Sequence, residues 1–161
     1  MSGTVIVAGA RTPIGRLLGG LKSFSAPDLG GIAIKGALEK AGVTGEQVDY
    51  LIMAQVILAG AGQNPARAAG LAGGLPASVP SITVNKVCLS GLNATATADQ
   101  MIRAGEADII VAGGMESMTN APYIMSGARA GYRMGHKEVK DHMFLDGLED
   151  AETGKLMGQF A

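Results

Sequence analysis

The sequence contains one cysteine, Cys88, and no tryptophan among its 161 residues. A single thiol cannot form an intramolecular disulfide, which excludes the small disulfide-rich secreted domains. The first ten residues, MSGTVIVAGA, also lack the basic leader and the long apolar run of a secretory signal. We therefore expect a cytoplasmic protein.

Positive and negative charges are nearly balanced, because the chain has thirteen basic and fourteen acidic residues and a formal net charge of −1. This balance argues against binding to nucleic acid or to an anionic membrane, and it favours small-molecule ligands. Glycine, proline or charge interrupts every apolar run before the roughly 18 residues that a membrane-spanning helix requires. With 47% hydrophobic residues, the chain is long enough to bury a core of its own.

Short apolar runs alternate with helical patterns along most of the chain. The predicted strands are 4–10, 50–58, 81–87 and 108–112, and the predicted helices are 28–42, 63–73 and 90–104, with Asp28 as a cap and Gly42 as a stop in the first helix. This βαβαβαβ order predicts an α/β fold with a mostly parallel sheet and helices on both faces. Active sites of such folds lie at the carboxyl ends of the strands.

From Met115 onward the pattern changes, since methionines are scattered among glycines and charges without a clear period. Segment 137–152 has the charge pattern of an exposed surface, and we expect a short helical turn around 137–145. This part of the chain is predicted to be a loop-rich excursion.

Cys88 lies where the third predicted strand meets the third predicted helix, in the stretch VNKVCLSGLNA. We expect the unpaired amides and the positive end of the helix dipole to favour a reactive thiolate there. Ser90 and Gly91 keep the turn tight, as in the nucleophile elbow of other α/β enzymes. On position alone, a buried and inert cysteine is the alternative, because free cysteines are commonly buried.

The remaining polar residues suggest no partner for this thiol. His136 and His142 both fall in the polar excursion, where a solvated surface histidine is expected. One cysteine and two histidines six residues apart give no metal-ligand spacing. The stretch GARTPIGR matches no nucleotide-binding pattern. The glycine pair before Met115 either shapes a ligand site or only closes a strand.

Several separated stretches together resemble the thiolase family, which includes the acetyl-CoA acetyltransferases and 3-ketoacyl-CoA thiolases. They are GARTPIGR, GQNPARAAG, VNKVCLSGLNA, VAGGMESMTNAPY and, from 134 to 158, MGHKEVKDHMFLDGLEDAETGKLMG. The resemblance implies that Cys88 is the acyl-carrying nucleophile and that its own backbone N–H helps to stabilise the thioester oxygen. It also implies that Met157, in KLMG, lines the acyl pocket.

By the same resemblance, residues 1–118 are an incomplete amino-terminal α/β domain with a mixed sheet, and residues 119–161 begin a loop domain. The family's carboxyl-terminal domain, with its catalytic His, second Cys and Asn-containing oxyanion site, is absent, as is the last strand of the first domain. An exposed sheet edge and an unburied helix face are therefore expected. Leu89 and Leu156 stand where many members have Gly and His, which leaves the preferred acyl length open.

The function implied is transfer of an acyl group from acyl-CoA to Cys88, followed by reversible Claisen condensation or thiolysis, in lipid metabolism. Coenzyme A thioesters are the substrates, no further cofactor is implied, and a homodimer or homotetramer is expected. Two alternatives remain at this point. One is a catalytically silent truncated thiolase that acts only in assembly or binding, and the other is a structural α/β module with a buried Cys88.

Overall fold

The computed structural model describes residues 3–160. Its helices are α1 (Ala26–Ala41), α2 (Pro65–Ala72) and α3 (Ser90–Ala104), and its strands are β1 (Tyr50–Ala54), β2 (Ser81–Val84), β3 (Ile110–Gly114), β4 (Tyr123–Ile124) and β5 (Lys140–Asp141). The first three strands form one parallel sheet in the order β2-β1-β3, while β4 and β5 form a separate antiparallel pair. The predicted α/β class and the parallel sheet are confirmed.

The central strand β1 is buried on both faces. Leu51 and Met53 belong to a core that also includes Ile34 of α1 and Ala69 of α2, whereas Ile52, which points the other way, packs with α3. Successive side chains of a strand alternate between faces, so one strand requires helices on both sides. The prediction of helices on both faces is confirmed by this division of the core.

Helix α1 begins and ends at specific polar and glycine residues. Ser25, rather than the predicted Asp28, is the cap, because its hydroxyl accepts the Asp28 N–H while the Asp28 carboxylate accepts the Ser25 N–H. The Ser25 hydroxyl, and then the Ser25 backbone amide, hold the pKa of Asp28 below its ordinary value. Gly42 ends the helix in the left-handed conformation, as predicted.

The predicted first strand is wrong. Residues 4–10 run without a regular element, and the side chains of Val5, Ile6 and Val7 are between 69% and 85% exposed. A strand needs a neighbour to complete its ladder of hydrogen bonds, and none of the described strands pairs with this segment. Ile32 on α1 is also half exposed, which agrees with the expectation of an unburied helix face.

The later elements differ from their predicted bounds for local reasons. β1 stops at Ala54, before the polar Gln55, so the predicted strand 50–58 is too long. β3 begins at Ile110 rather than at Asp108, because the Asp108 and Ile109 amides donate to the Asp49 carboxylate instead of to a neighbouring strand. Helix α3 has the predicted bounds.

The loop-rich excursion is confirmed in outline but not in detail. The helical turn near its middle covers 142–148 rather than 137–145, and it includes a π-helical stretch, Phe144–Leu148. Within residues 3–160, no helix is both long enough and apolar enough to cross a membrane. The division of the chain at residues 118 and 119 stays a prediction.

Helix α1 approaches helix α2 closely at Gly31, and a substitution there tests this packing. A Cβ at Gly31 would stand 2.7 Å from the Ala72 Cβ and 3.2 Å from the Ala69 carbonyl oxygen, neither of which can move away easily. We expect Gly31→Ala to lower the free energy of unfolding by about 1–2 kcal/mol, since overpacking outweighs the gain in helix propensity. Urea unfolding followed by circular dichroism measures this. Gly36→Ala is the control, because its Cβ would meet only the Ala10 side chain, at 3.3 Å; an equal loss there would contradict the packing argument.

Asp49 tests the link between the starts of β1 and β3. The Ile109 amide, and then the Asp108 amide, donate to its carboxylate and lower its pKa. Because folding lowers this pKa, the stabilisation is complete above the unfolded value of about 3.9 and is lost as the pH falls through the folded value.

We therefore expect Asp49→Asn to be less stable than the wild type at neutral pH, with the difference narrowing below about pH 4. Urea midpoints measured from pH 3 to pH 7 provide the test. Asp108→Asn is the matched control, since among the described residues no hydrogen bond is made to the Asp108 side chain. A difference for Asp49→Asn that is the same at every pH would contradict the role of the charge.

Candidate active site

Cys88 lies in the turn between the end of β2 and the start of α3, and its side chain is exposed and outside any disulfide. The alternative of a buried cysteine is therefore wrong. The Leu89 and Ser90 amides are used within the turn, where they donate to the Lys86 and Val87 carbonyls. Among the described residues, the Cys88 amide meets no such acceptor.

The turn before Cys88 contains a strained residue that side chains hold in place. Val87 has a φ of 50°, in the left-handed region that β-branched residues rarely adopt. The Ser90 hydroxyl accepts the Lys86 N–H at 2.7 Å and donates to the Val87 carbonyl at 2.5 Å. The Asn85 Oδ1 atom accepts the Val87 N–H at 2.9 Å. The predicted tight turn is thus observed, and Ser90 is the residue that closes it.

Side chains also connect this turn to the ends of the neighbouring strands. The Asn85 side-chain amide donates to the Val56 carbonyl at 3.4 Å, and the Glu116 Oε2 atom accepts the Val56 and Ile57 amides at 2.8 and 3.1 Å. Asn85 follows β2, Val56 follows β1 and Glu116 follows β3. The carboxyl ends of all three parallel strands are therefore joined.

Glu116 is a residue that the sequence analysis did not single out. Its carboxylate comes two residues after a strand end, which was the only available signal, and sequence alone does not reveal which amides it would accept. Gln55 has a similar role, since its side-chain amide donates to the Ile57 carbonyl at 2.8 Å. The Oε1 atoms of Gln55 and Glu116 are buried and have no partner within the described residues.

His142 is buried, so its prediction as a surface histidine is wrong. Its Nε2 atom accepts the Ala59 N–H at 3.0 Å, and its Nδ1 atom lies 2.5 Å from the Asp146 carboxylate. These two bonds require the proton on Nδ1, because Nε2 must accept. Asp146 follows His142 by four residues, a spacing that joins side chains on a helical turn. His136, in contrast, is exposed as predicted.

The other predicted site residue, Met157, lies in a short 3₁₀ helix, Met157–Gln159, and is about half exposed. Its assignment to an acyl pocket stays a prediction. A cavity of about 430 Å³ is bordered by segment 10–17, by α1 and by residues 114–119, but Cys88 does not line it. Among residues 3–160, no group of three or more His, Cys, Asp or Glu side chains could hold a metal ion.

The two histidines provide a matched test of the contacts around the segment after β1. His142→Ala removes the acceptor of the Ala59 amide and opens a buried space, so we expect a loss of about 1–3 kcal/mol in the free energy of unfolding. His136→Ala should change it by less than about 0.5 kcal/mol, because that side chain is exposed. Urea unfolding of both variants measures the difference. Equal stability of the two variants would contradict the role given to His142.

Comparisons with known proteins identify a family and several relatives of this chain. The family model described as thiolase, N-terminal domain, matches residues 4–161. The chain is 59% identical to a probable acetyl-CoA acetyltransferase of Mycobacterium tuberculosis, over 98% of this chain and 40% of that protein. It is 51% identical to an acetyl-CoA acetyltransferase of Cupriavidus necator and 48% identical to a probable one of Escherichia coli, over 98% and 94% of this chain.

The chain therefore spans about 40% of the length of the curated relatives that it matches. Those relatives carry the name of one enzyme class, and the family model extends over nearly every residue. The parallel sheet with helices on both faces is consistent with a thiolase N-terminal domain. The chain belongs to the thiolase family, of which it comprises an amino-terminal part.

Proposed function

We propose that this chain supplies the nucleophile of a thiolase, and that Cys88 accepts an acyl group from acyl-CoA. The observation that carries the proposal is the exposure of Cys88 at the turn into α3. A thiol there is accessible to a substrate and lies two positions before the first residue of α3. The names of the relatives, acetyl-CoA acetyltransferases, support acetyl-CoA as the acyl donor.

In the first step, the Cys88 Sγ atom attacks the thioester carbonyl carbon. A new carbon–sulfur bond forms, the bond between the carbonyl carbon and the coenzyme A sulfur breaks, and the coenzyme A sulfur takes up the proton that Cys88 has lost. Negative charge develops on the carbonyl oxygen during the attack, and backbone N–H groups stabilise such an oxygen. The Cys88 amide, which meets no backbone acceptor among the described residues, is the candidate donor.

In the second step, a second acetyl-CoA loses a proton from its α-carbon to a base, and the resulting carbanion attacks the acyl carbon on Cys88. A carbon–carbon bond forms, and the Cys88 sulfur leaves and is reprotonated, which gives acetoacetyl-CoA. Reversal of the step is thiolysis of a 3-ketoacyl-CoA. The base is a second thiol or a histidine. We propose that it lies in the part of a full-length thiolase that corresponds to the relatives outside their matched 40%.

The reaction needs no cofactor besides its coenzyme A thioester substrates, and it takes place in the cytoplasm as part of lipid metabolism. The protein is a homodimer or homotetramer, and Met157 borders the acyl group.

A second candidate is a catalytically silent chain that serves only in assembly or binding. The exposure of Val5, Ile6 and Val7 favours it, since so many exposed apolar side chains in one segment suit a covered interface better than a free surface. In this case, Cys88 would be accessible and yet unacylated by acetyl-CoA.

Intact mass after incubation with acetyl-CoA distinguishes these candidates. We expect the 161-residue chain, or the longer protein that contains it, to gain one acetyl group. The gain should be absent from Cys88→Ala, because the thioester forms on that sulfur. An adduct in the longer protein but not in the folded chain would support the silent fragment. The absence of an adduct in both would contradict the proposed function.

A further inference from the structure

The residue directly before Cys88 has a backbone conformation that its side chain disfavours. Val87 has a φ of 50°, and apart from Leu18 it is the one described non-glycine residue with a positive φ. A branched Cβ makes this region costly, so surrounding contacts must hold the residue there. The direction in which the Cys88 side chain leaves the turn depends on that conformation, because the two residues share a peptide bond.

The contacts that hold Val87 come from two side chains. The Ser90 hydroxyl accepts the N–H of Lys86, on one side of Val87, and donates to the carbonyl of Val87 itself. The Asn85 side chain accepts the Val87 N–H. Both polar groups of Val87 are therefore bound to side chains, although the Ser90 amide also donates to the Val87 carbonyl at 3.1 Å.

Ser90 is the more rigid of the two supports. It is only 3% exposed, whereas Asn85 is exposed and its second bond, to Val56, is long at 3.4 Å. Removing a buried hydroxyl that both donates and accepts leaves its partners without a hydrogen bond, which is costly. Ser90 is also the first residue of α3, so the hydroxyl ties the strained turn to the start of that helix.

We infer that Ser90 is a positioning residue that keeps Val87 in the left-handed conformation and thereby aims the Cys88 sulfur at the acyl donor. The inference rests on the proposed function, because it concerns the same nucleophile. Ser90 does not itself contact the reacting atoms. Its effect passes through the backbone of Val87, and a small displacement of a reacting group is enough to slow a reaction severely.

Substitution at Val87 separates this role from a general contribution to stability. Glycine adopts a positive φ without strain. In Val87→Gly, residue 87 should therefore keep this conformation without the hydrogen bonds of the Ser90 hydroxyl. In the wild-type background, Ser90→Ala should lower kcat for acetyl transfer by about tenfold or more and change KM by less than about twofold. In the Val87→Gly background, the same substitution should change kcat by less than about twofold relative to Val87→Gly alone.

Alkylation of Cys88 by iodoacetamide at fixed pH supplies a second readout that does not depend on acetyl-CoA. The alkylation rate should show the same loss on Ser90→Ala and the same insensitivity in the Val87→Gly background. If the alkylation rates show this dependence on Ser90 but acetyl-CoA does not acylate the protein, the positioning role stands and the proposed function fails. If acylation occurs but neither rate depends on Ser90, the positioning role fails and the proposed function stands.

Thr97→Ala is the matched control, because its hydroxyl donates to the Asn93 carbonyl at 2.9 Å in the same helix, away from the turn. It should leave both rates unchanged. Circular dichroism checks that each variant is folded. If Ser90→Ala does not fold, Asn85→Ala replaces it, since it removes the acceptor of the Val87 N–H and the same rescue by Val87→Gly is expected. A loss of equal size in both backgrounds, for the variant used, overturns the inference.

Discussion

Several backbone amides beyond the ends of the three parallel strands depend on side chains for their hydrogen bonds. Inside the sheet, the strands satisfy one another's backbone groups, and this regular pairing ends at Ala54, Val84 and Gly114. Buried amides and carbonyls cannot remain unpaired without a large cost. Glu116 accepts two of these amides and His142 accepts a third, so the carboxyl edge of the sheet is held by polar side chains.

This constraint connects the nucleophile to the rest of the fold. Glu116 fixes the amide of Val56, the carbonyl of Val56 accepts a bond from Asn85, and Asn85 in turn accepts the amide of Val87. Ser90 then closes the turn from the helix side. These hydrogen bonds form a continuous series from Glu116 through Val56 and Asn85 to Val87. The strained turn that presents Cys88 is therefore supported from the ends of all three strands.

The sequence predicted those elements whose signals are local. Helix α3 has the predicted bounds, Gly42 ends α1, and the stretch from Asn64 to Pro65 starts α2, because caps and periodicity act within one turn of helix. The segment 4–10 has the composition of a strand and is not one, since pairing depends on a distant neighbour. The predicted cap of α1, Asp28, lies three residues after the observed cap, Ser25. Both residues belong to the capping box, and both have side chains that suit a cap.

The sequence by itself determined the fold class and the position of Cys88 at a strand-to-helix turn, since hydrophobic periodicity is a property of the chain alone, and its motifs carried the resemblance to the thiolase family. Only the tertiary structure decided that Cys88 is exposed, that His142 is buried and that Glu116 holds the segment after β1. Burial and hydrogen bonding at these sites join residues up to 83 positions apart. No local pattern encodes which of many polar side chains will meet a given amide.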